Sequence, residues 1–149
     1  PVGDFPSVDE AQADFDSVVE TLNRTRETGN EVEIKLAVSN AKRAGFVLSN
    51  ATRTADGPMA MPVQAMRIGP AALIAIPVEA FCEIGIEVKA NSPASQTLFS
   101  GYTNGYMGYM PMADNFEEGG YEVTTTPMAA GAAEETIDVC TDAVKALWR

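Results

Sequence analysis

The chain has 149 residues, a formal charge of −11, and 46% hydrophobic against 21% charged residues, a composition that suffices for one compact core. Ten scattered Lys and Arg supply no basic patch, which argues against a nucleic-acid backbone or an anionic membrane surface as partner. No apolar run approaches the roughly eighteen residues of a spanning helix, and no basic leader followed by an apolar stretch opens the chain.

Pro1 brings an N-terminal catalytic amine to mind, as in tautomerases. Val2, Gly3, Asp4, Phe5 and Pro6 do not read as the buried strand that such a site requires. Ser7 and Glu10 form a capping-box signature, and Val8, Ala11, Phe15, Val18 and Leu22 then recur at helical spacing, predicting a helix from Val8 to Glu27. Thr28, Gly29 and Asn30 make a turn with Asn30 as N-cap. Ile34, Ala37, Val38, Ala41 and Leu48 mark a second amphipathic helix, so that residues 1–50 form a helical hairpin. Its charges, Glu20, Arg24, Arg26, Glu31, Glu33, Lys35, Lys42 and Arg43, are most simply a solvated face, with a partner-binding helix pair as the sharper alternative.

Asn50 to Pro62 reads as a loop, punctuated by Asp56, Gly57 and Pro58. A strand follows from Val63 to Ile68, then a turn at Gly69 and Pro70, then a strand from Ala71 to Ile76 that is apolar on both faces and suits a central, doubly covered position. A helix from Glu79 to Ala90 and a strand over 96–101 complete a βαβ unit with parallel strands. The first two strands are placed to pair antiparallel. A last helix from Ala132 to Leu147 carries Ile137, Cys140, Val144 and Leu147 on one face, with Glu134 and Glu135 favouring its start. The fold class is therefore α/β in the mixed α+β sense: a helical hairpin, then over 60–149 a mixed sheet with a βαβ unit and a C-terminal helix.

Such a topology sets Glu79 and Tyr109 just beyond the carboxyl ends of their strands, where open α/β sheets place ligands. An acid and a phenol thirty positions apart can then converge. Each has a plainer explanation. Glu79 in the first turn of a helix would be stabilised by the helix dipole, and Glu79, Glu83 and Glu87 would form a solvated stripe of like charge. The segment from Gly101 to Tyr109, with three tyrosines and three glycines, reads as a turn whose rings pack over the sheet edge. Tyr106, Asn104, Gly105 and Tyr121 carry no assigned chemistry. Met107, Met110 and Met112 look exposed. Cys82 and Cys140 fall on apolar helix faces and read as two buried thiols, with a disulfide as the alternative. Asn23-Arg24-Thr25 and Asn50-Ala51-Thr52 match the glycosylation sequon, a short pattern common by chance. No Ser-His-Asp set, P-loop or dinucleotide fingerprint is present.

The string IPVEAF, followed by NGYMGYMP and FEEGGYE, resembles the carboxyl-terminal part of the catalytic region in the neutral/alkaline (non-lysosomal) ceramidase-like family, especially its bacterial members. The resemblance runs over nearly the whole chain. It implies a hydrolase of lipid metabolism, a zinc-dependent amidase acting on a linear amide, whose metal is held by two histidines, a glutamate after a strand, and a tyrosine. By that resemblance the metal ligands here are Glu79 and Tyr109. The chain has no histidine, and the family's histidines and its serine lie upstream of the region represented. Two oxygen ligands do not make a catalytic zinc site, so zinc would be held only with ligands from outside this chain, and the chain alone should be inert. The expected partner is an upstream segment of the same protein or a second chain, with self-assembly also compatible. The chain is then either a single domain or the C-terminal portion of a larger catalytic domain. The threonine- and arginine-rich helix start of the family is replaced here by AFCEIG, so substrate identity does not transfer. The resemblance leans toward a secreted or periplasmic setting. The alternative from a different class is a non-catalytic structural or assembly module that keeps the same fold.

Overall fold

The computed structural model describes residues 3–57 and 59–149; the Pro1 amine considered above lies outside them. The chain divides into two compact units, Asp4–Met59 and a second one made essentially of Ala60–Arg149.

In the first unit, α1 (Val8–Thr28) and α2 (Glu31–Thr54) form the expected hairpin, and both start on a complete capping box, Ser7 with Glu10 and Asn30 with Glu33. The buried seam is thin and built from small residues, Ala11, Leu22, Ala44 and Ala51. All eight charged residues expected on the solvated face are exposed, and Glu31 pairs with Lys35 at helical spacing. The loop expected from Asn50 is instead the last turn of α2. Asn50 and Ala51 are buried, and the Thr52 and Thr54 hydroxyls donate back to the Leu48 and Asn50 carbonyls, so that these two threonines, of a type that often favours turns, are satisfied within the helix. The second sequon therefore lies on a helix with its Asn buried, not on a surface loop.

The second unit is the mixed α+β part. Strand β1 (Gln64–Ile68) pairs antiparallel with β2 (Ala71–Ala75), and β2 pairs parallel with β4 (Gln96–Ser100) in the register Ala71 to Gln96, giving the order β1-β2-β4. The crossover between the parallel strands carries the short strand β3 (Glu79–Ala80) and helix α3 (Cys82–Ala90). Beyond β4 come β5 (Tyr109–Met110), the short helices α4 (Asn115–Glu118) and α5 (Tyr121–Thr125), and α6 (Ala132–Ala146). Helices α3 and α6 pack on each other and on one face of the sheet. Ala72, Ile74, Ile76, Val78, Ile84, Val88, Met110, Cys140 and Val144 make one continuous core there.

Four expectations are corrected. Strand β2 is central but not fully covered on both faces: Leu73 sits in register between Met66 and Leu98, which are 48% and 63% exposed. Both covering helices lie on the opposite side, where Ala72 and Ile74 point. Cys82 is exposed at the start of α3 while Cys140 is fully buried, and both are free thiols. Met110 is a core residue, and Met107 and Met112 pack partly buried against that core. The helix expected from Glu79 begins three residues later, at Cys82.

Candidate functional site

The late start of α3 decides the geometry of the site. After β2 the chain bends at Pro77 and Val78 and changes partners before β3. It pairs with β4 through Ala75, the Ile76 amide still donates to the Ser100 carbonyl at 3.0 Å, and then β3 pairs with β5. The Glu79 amide donates to the Gly108 carbonyl at 3.0 Å and the Phe81 amide to the Met110 carbonyl at 3.1 Å. With its N–H committed to the carbonyl of Gly108, just before β5, Glu79 is not in the first turn of a helix. Neither the dipole reading nor the stripe with Glu83 and Glu87 applies to it.

The loop from Gly101 to Gly108 folds back over this segment. The Tyr102 amide donates to the Val78 carbonyl, that of Thr103 to Ile76 and that of Met107 to Pro77, at 3.0, 3.0 and 2.7 Å. Two glycines permit the fold. A Cβ at Gly101 would lie 2.8 Å from the Val78 carbonyl oxygen, and one at Gly108, whose φ is +101°, would lie 2.7 Å from Pro127 Cδ. Tyr102 and Asn104 adopt positive φ of 54° and 60°, sparsely populated values for residues bearing a Cβ. Behind β5, the Thr126 hydroxyl donates to the Tyr109 carbonyl at 2.7 Å and accepts from the Met128 amide at 3.0 Å, which locks the strand from its other side.

Glu79 and Tyr109 are direct register partners in the parallel β3–β5 ladder, so their side chains leave the same face. The structure thus brings the two candidate residues together, and it adds the chain's other three tyrosines. The Tyr106 hydroxyl donates to Glu79 Oε2 at 3.4 Å. Tyr102 stacks on Tyr106 with ring centroids 5.5 Å apart and planes 7° apart, while Tyr121 meets Tyr109 edge-on at 5.9 Å. Hydrogen bonding to the Glu79 carboxylate, followed by loss of solvent and the carboxylate's charge, pushes the Tyr102 phenol up to about 12. Loss of solvent and then the Glu79 charge raise Tyr109 above the usual phenol range. One carboxylate among phenols that keep their protons is an oxygen-rich locus.

Sequence reasoning placed Tyr102 and Tyr106 in a packing role and missed their contact with the acid. The clustering of three tyrosines within nine residues was the available signal. Among the described residues no group of three or more His, Cys, Asp or Glu side chains is arranged to hold a metal ion, and no described helix is long and apolar enough to cross a membrane.

No family model matches the chain, and no curated protein does. Among solved structures it is similar to the crystal structure of the neutral ceramidase from Pseudomonas aeruginosa, with 26% identity and a TM-score of 0.55 over 60% of this chain and 15% of that one. The match spans a small part of that enzyme's length. Over the matched part, the chain shares a ceramidase-like fold.

Proposed function

We propose that this chain is the C-terminal segment of a ceramidase-like, zinc-dependent amidohydrolase, in which Glu79 and Tyr109 are two of the metal's ligands. The observation that carries the reading is the direct pairing of Glu79 with Tyr109 across β3 and β5, in a chain whose solved relative is a neutral ceramidase.

The donor set fits a divalent cation in part. A carboxylate and a phenol are both oxygen donors suited to it, and the charge of a dication would offset the raised proton affinity that loss of solvent and then Glu79 impose on Tyr109. Two ligands fall short of the three protein ligands of a catalytic zinc, and with no histidine in the sequence the remaining donors come from outside the chain. Zinc, when bound, supplies Lewis acidity to an amide carbonyl and makes water a stronger acid. Glu79 provides the negative charge that holds the ion. Tyr109, fixed at its backbone by Thr126, would ligate as phenolate, its proton passing to solvent. The substrate class is a linear N-acyl amide.

In the assembled protein, Glu79→Gln and Tyr109→Phe should each lower bound zinc below one ion per chain. Each should also cut hydrolysis of an N-acyl amide by about 100-fold or more, the scale of losing part of a Lewis acid's stabilisation. Full zinc content with unimpaired hydrolysis in both variants overturns the assignment. The absence of histidine favours a second reading, a non-catalytic assembly module. In that case the assembled protein binds no zinc at these residues, and both variants assemble as the wild type does.

A further inference from the structure

The proposed ligand Glu79 is half-buried on a two-residue strand, and nothing in such a strand fixes a flexible carboxylate. The surrounding loop does. Tyr106 reaches Glu79 Oε2 at 3.4 Å from a segment tied down on both sides: the Asn104 side-chain amide donates to Gln64 Oε1 at 2.8 Å, and the Met107 amide to the Pro77 carbonyl at 2.7 Å. The Tyr102 ring lies nearly parallel to that of Tyr106. Tyr102 itself sits at positive φ, and its backbone N–H donates a hydrogen bond to the carbonyl of Val78, one residue before Glu79. A backbone conformation of this kind persists only where its surroundings over-determine it.

We propose that Tyr106, braced by the ring of Tyr102 stacked on it, is a positioning residue that holds the Glu79 carboxylate facing Tyr109, so that the two oxygen ligands are set before a cation arrives. The inference deepens, and rests on, the reading of Glu79 and Tyr109 as metal ligands. Outer hydrogen bonds of this type orient ligating carboxylates, and their loss typically weakens metal affinity by about 10–100-fold. Tyr106 is 55% and Tyr102 57% exposed, so the lower end of that range applies to Tyr106. Tyr102 acts through the ring stacked on Tyr106. Preorganisation is what this chain can contribute to a centre whose other donors come from elsewhere.

The test uses this chain with ¹³C-labelled glutamate, first without metal and then, in the assembled protein that supplies the remaining donors, with zinc chloride as the probe. Without metal, three-bond couplings should report a single Glu79 side-chain rotamer in the wild type and averaging over several in Tyr106→Phe. Tyr102→Phe should give intermediate averaging. The zinc concentration at the midpoint of the Glu79 carboxyl shift should rise about tenfold in Tyr106→Phe and by less in Tyr102→Phe, with the fold retained in both by circular dichroism. Rotamer populations identical to wild type in both variants overturn the proposal, and that measurement needs no metal. A zinc midpoint unmoved by Tyr109→Phe, with the rotamer effect of Tyr106→Phe intact, would instead remove Tyr109 from the ligand set and leave the positioning contact standing.

Discussion

The hairpin of Asp4–Met59 and the sheet unit of Ala60–Arg149 reach order by different routes. The hairpin relies on local devices, with two capping boxes, a Glu31–Lys35 pair and a seam of three alanines and one leucine. The sheet unit relies on distant ones. Ile74, Ile76, Val78, Ile84, Val88, Cys140 and Val144 are wholly buried in one cluster, and the candidate site is held by amides and carbonyls far apart in sequence. Local order leaves a helix pair whose surface is mostly polar, whereas long-range order can hold an acid and a phenol from separate segments at fixed spacing. The unit with the larger core is the one that sets Glu79 beside Tyr109.

The largest effect that tests this contrast is a core truncation on β2. Ile74 is 0% exposed and Leu22, its counterpart in the hairpin seam, 8%. Ile74→Ala should lower unfolding free energy by about 3–4 kcal/mol, and Leu22→Ala by about 2 kcal/mol because a thin, partly open seam can collapse onto the gap. Urea titration of both variants checks it, and a larger loss for Leu22→Ala would break the comparison. A smaller effect sharpens it. The Asn30 side chain accepts from the Val32 and Glu33 amides at 3.0 and 3.1 Å, so Asn30→Ala should cost about 1 kcal/mol, read as lost helicity in thermal melts followed by circular dichroism. An unchanged melt would mean that local caps do not hold the hairpin.

The same contrast explains what the sequence disclosed. Periods of 3.6 and caps such as Ser7 and Asn30 are local, so α1, α2 and α6 were legible to within a turn or so, as was the βαβ unit, because Ala71–Ala75 and Gln96–Ser100 are bounded by turn residues. Strands β3 and β5 have two residues each, too short to show any period, and the helix-compatible run VEAFCEIG masked the extended state of Glu79. That state depends on the Gly108 carbonyl. The convergence of Glu79 and Tyr109 followed from topology and from the family resemblance. The contacts of Tyr102 and Tyr106 did not, since they depend on left-handed backbone at Tyr102 and Asn104, a conformation that neither residue type announces. The resemblance reached further along the chain than the structural match, which covers 60% of it.

The smallest expected effect is a titration, and it tests whether the phenols of the sheet unit share the field of one carboxylate. Tyr102 has a folded-state pKa raised from 10.0 to about 12. A raised folded pKa means that its contribution to stability is complete below pH 10 and is lost as the pH climbs toward about 12, because the folded state keeps a proton that the unfolded chain has released. Ultraviolet absorbance of tyrosinate should therefore show a late component that Tyr102→Phe removes and Glu79→Gln moves back toward the ordinary phenol range. The hydroxyl is exposed, so solvent screens the effect and the accompanying change in melting temperature above pH 10 is small. Its direction is the informative part: between pH 10 and 12 the wild type should lose stability more steeply than Tyr102→Phe. Equal slopes, with all four tyrosines titrating together, would mean that Glu79 does not organise the ring of phenols around it.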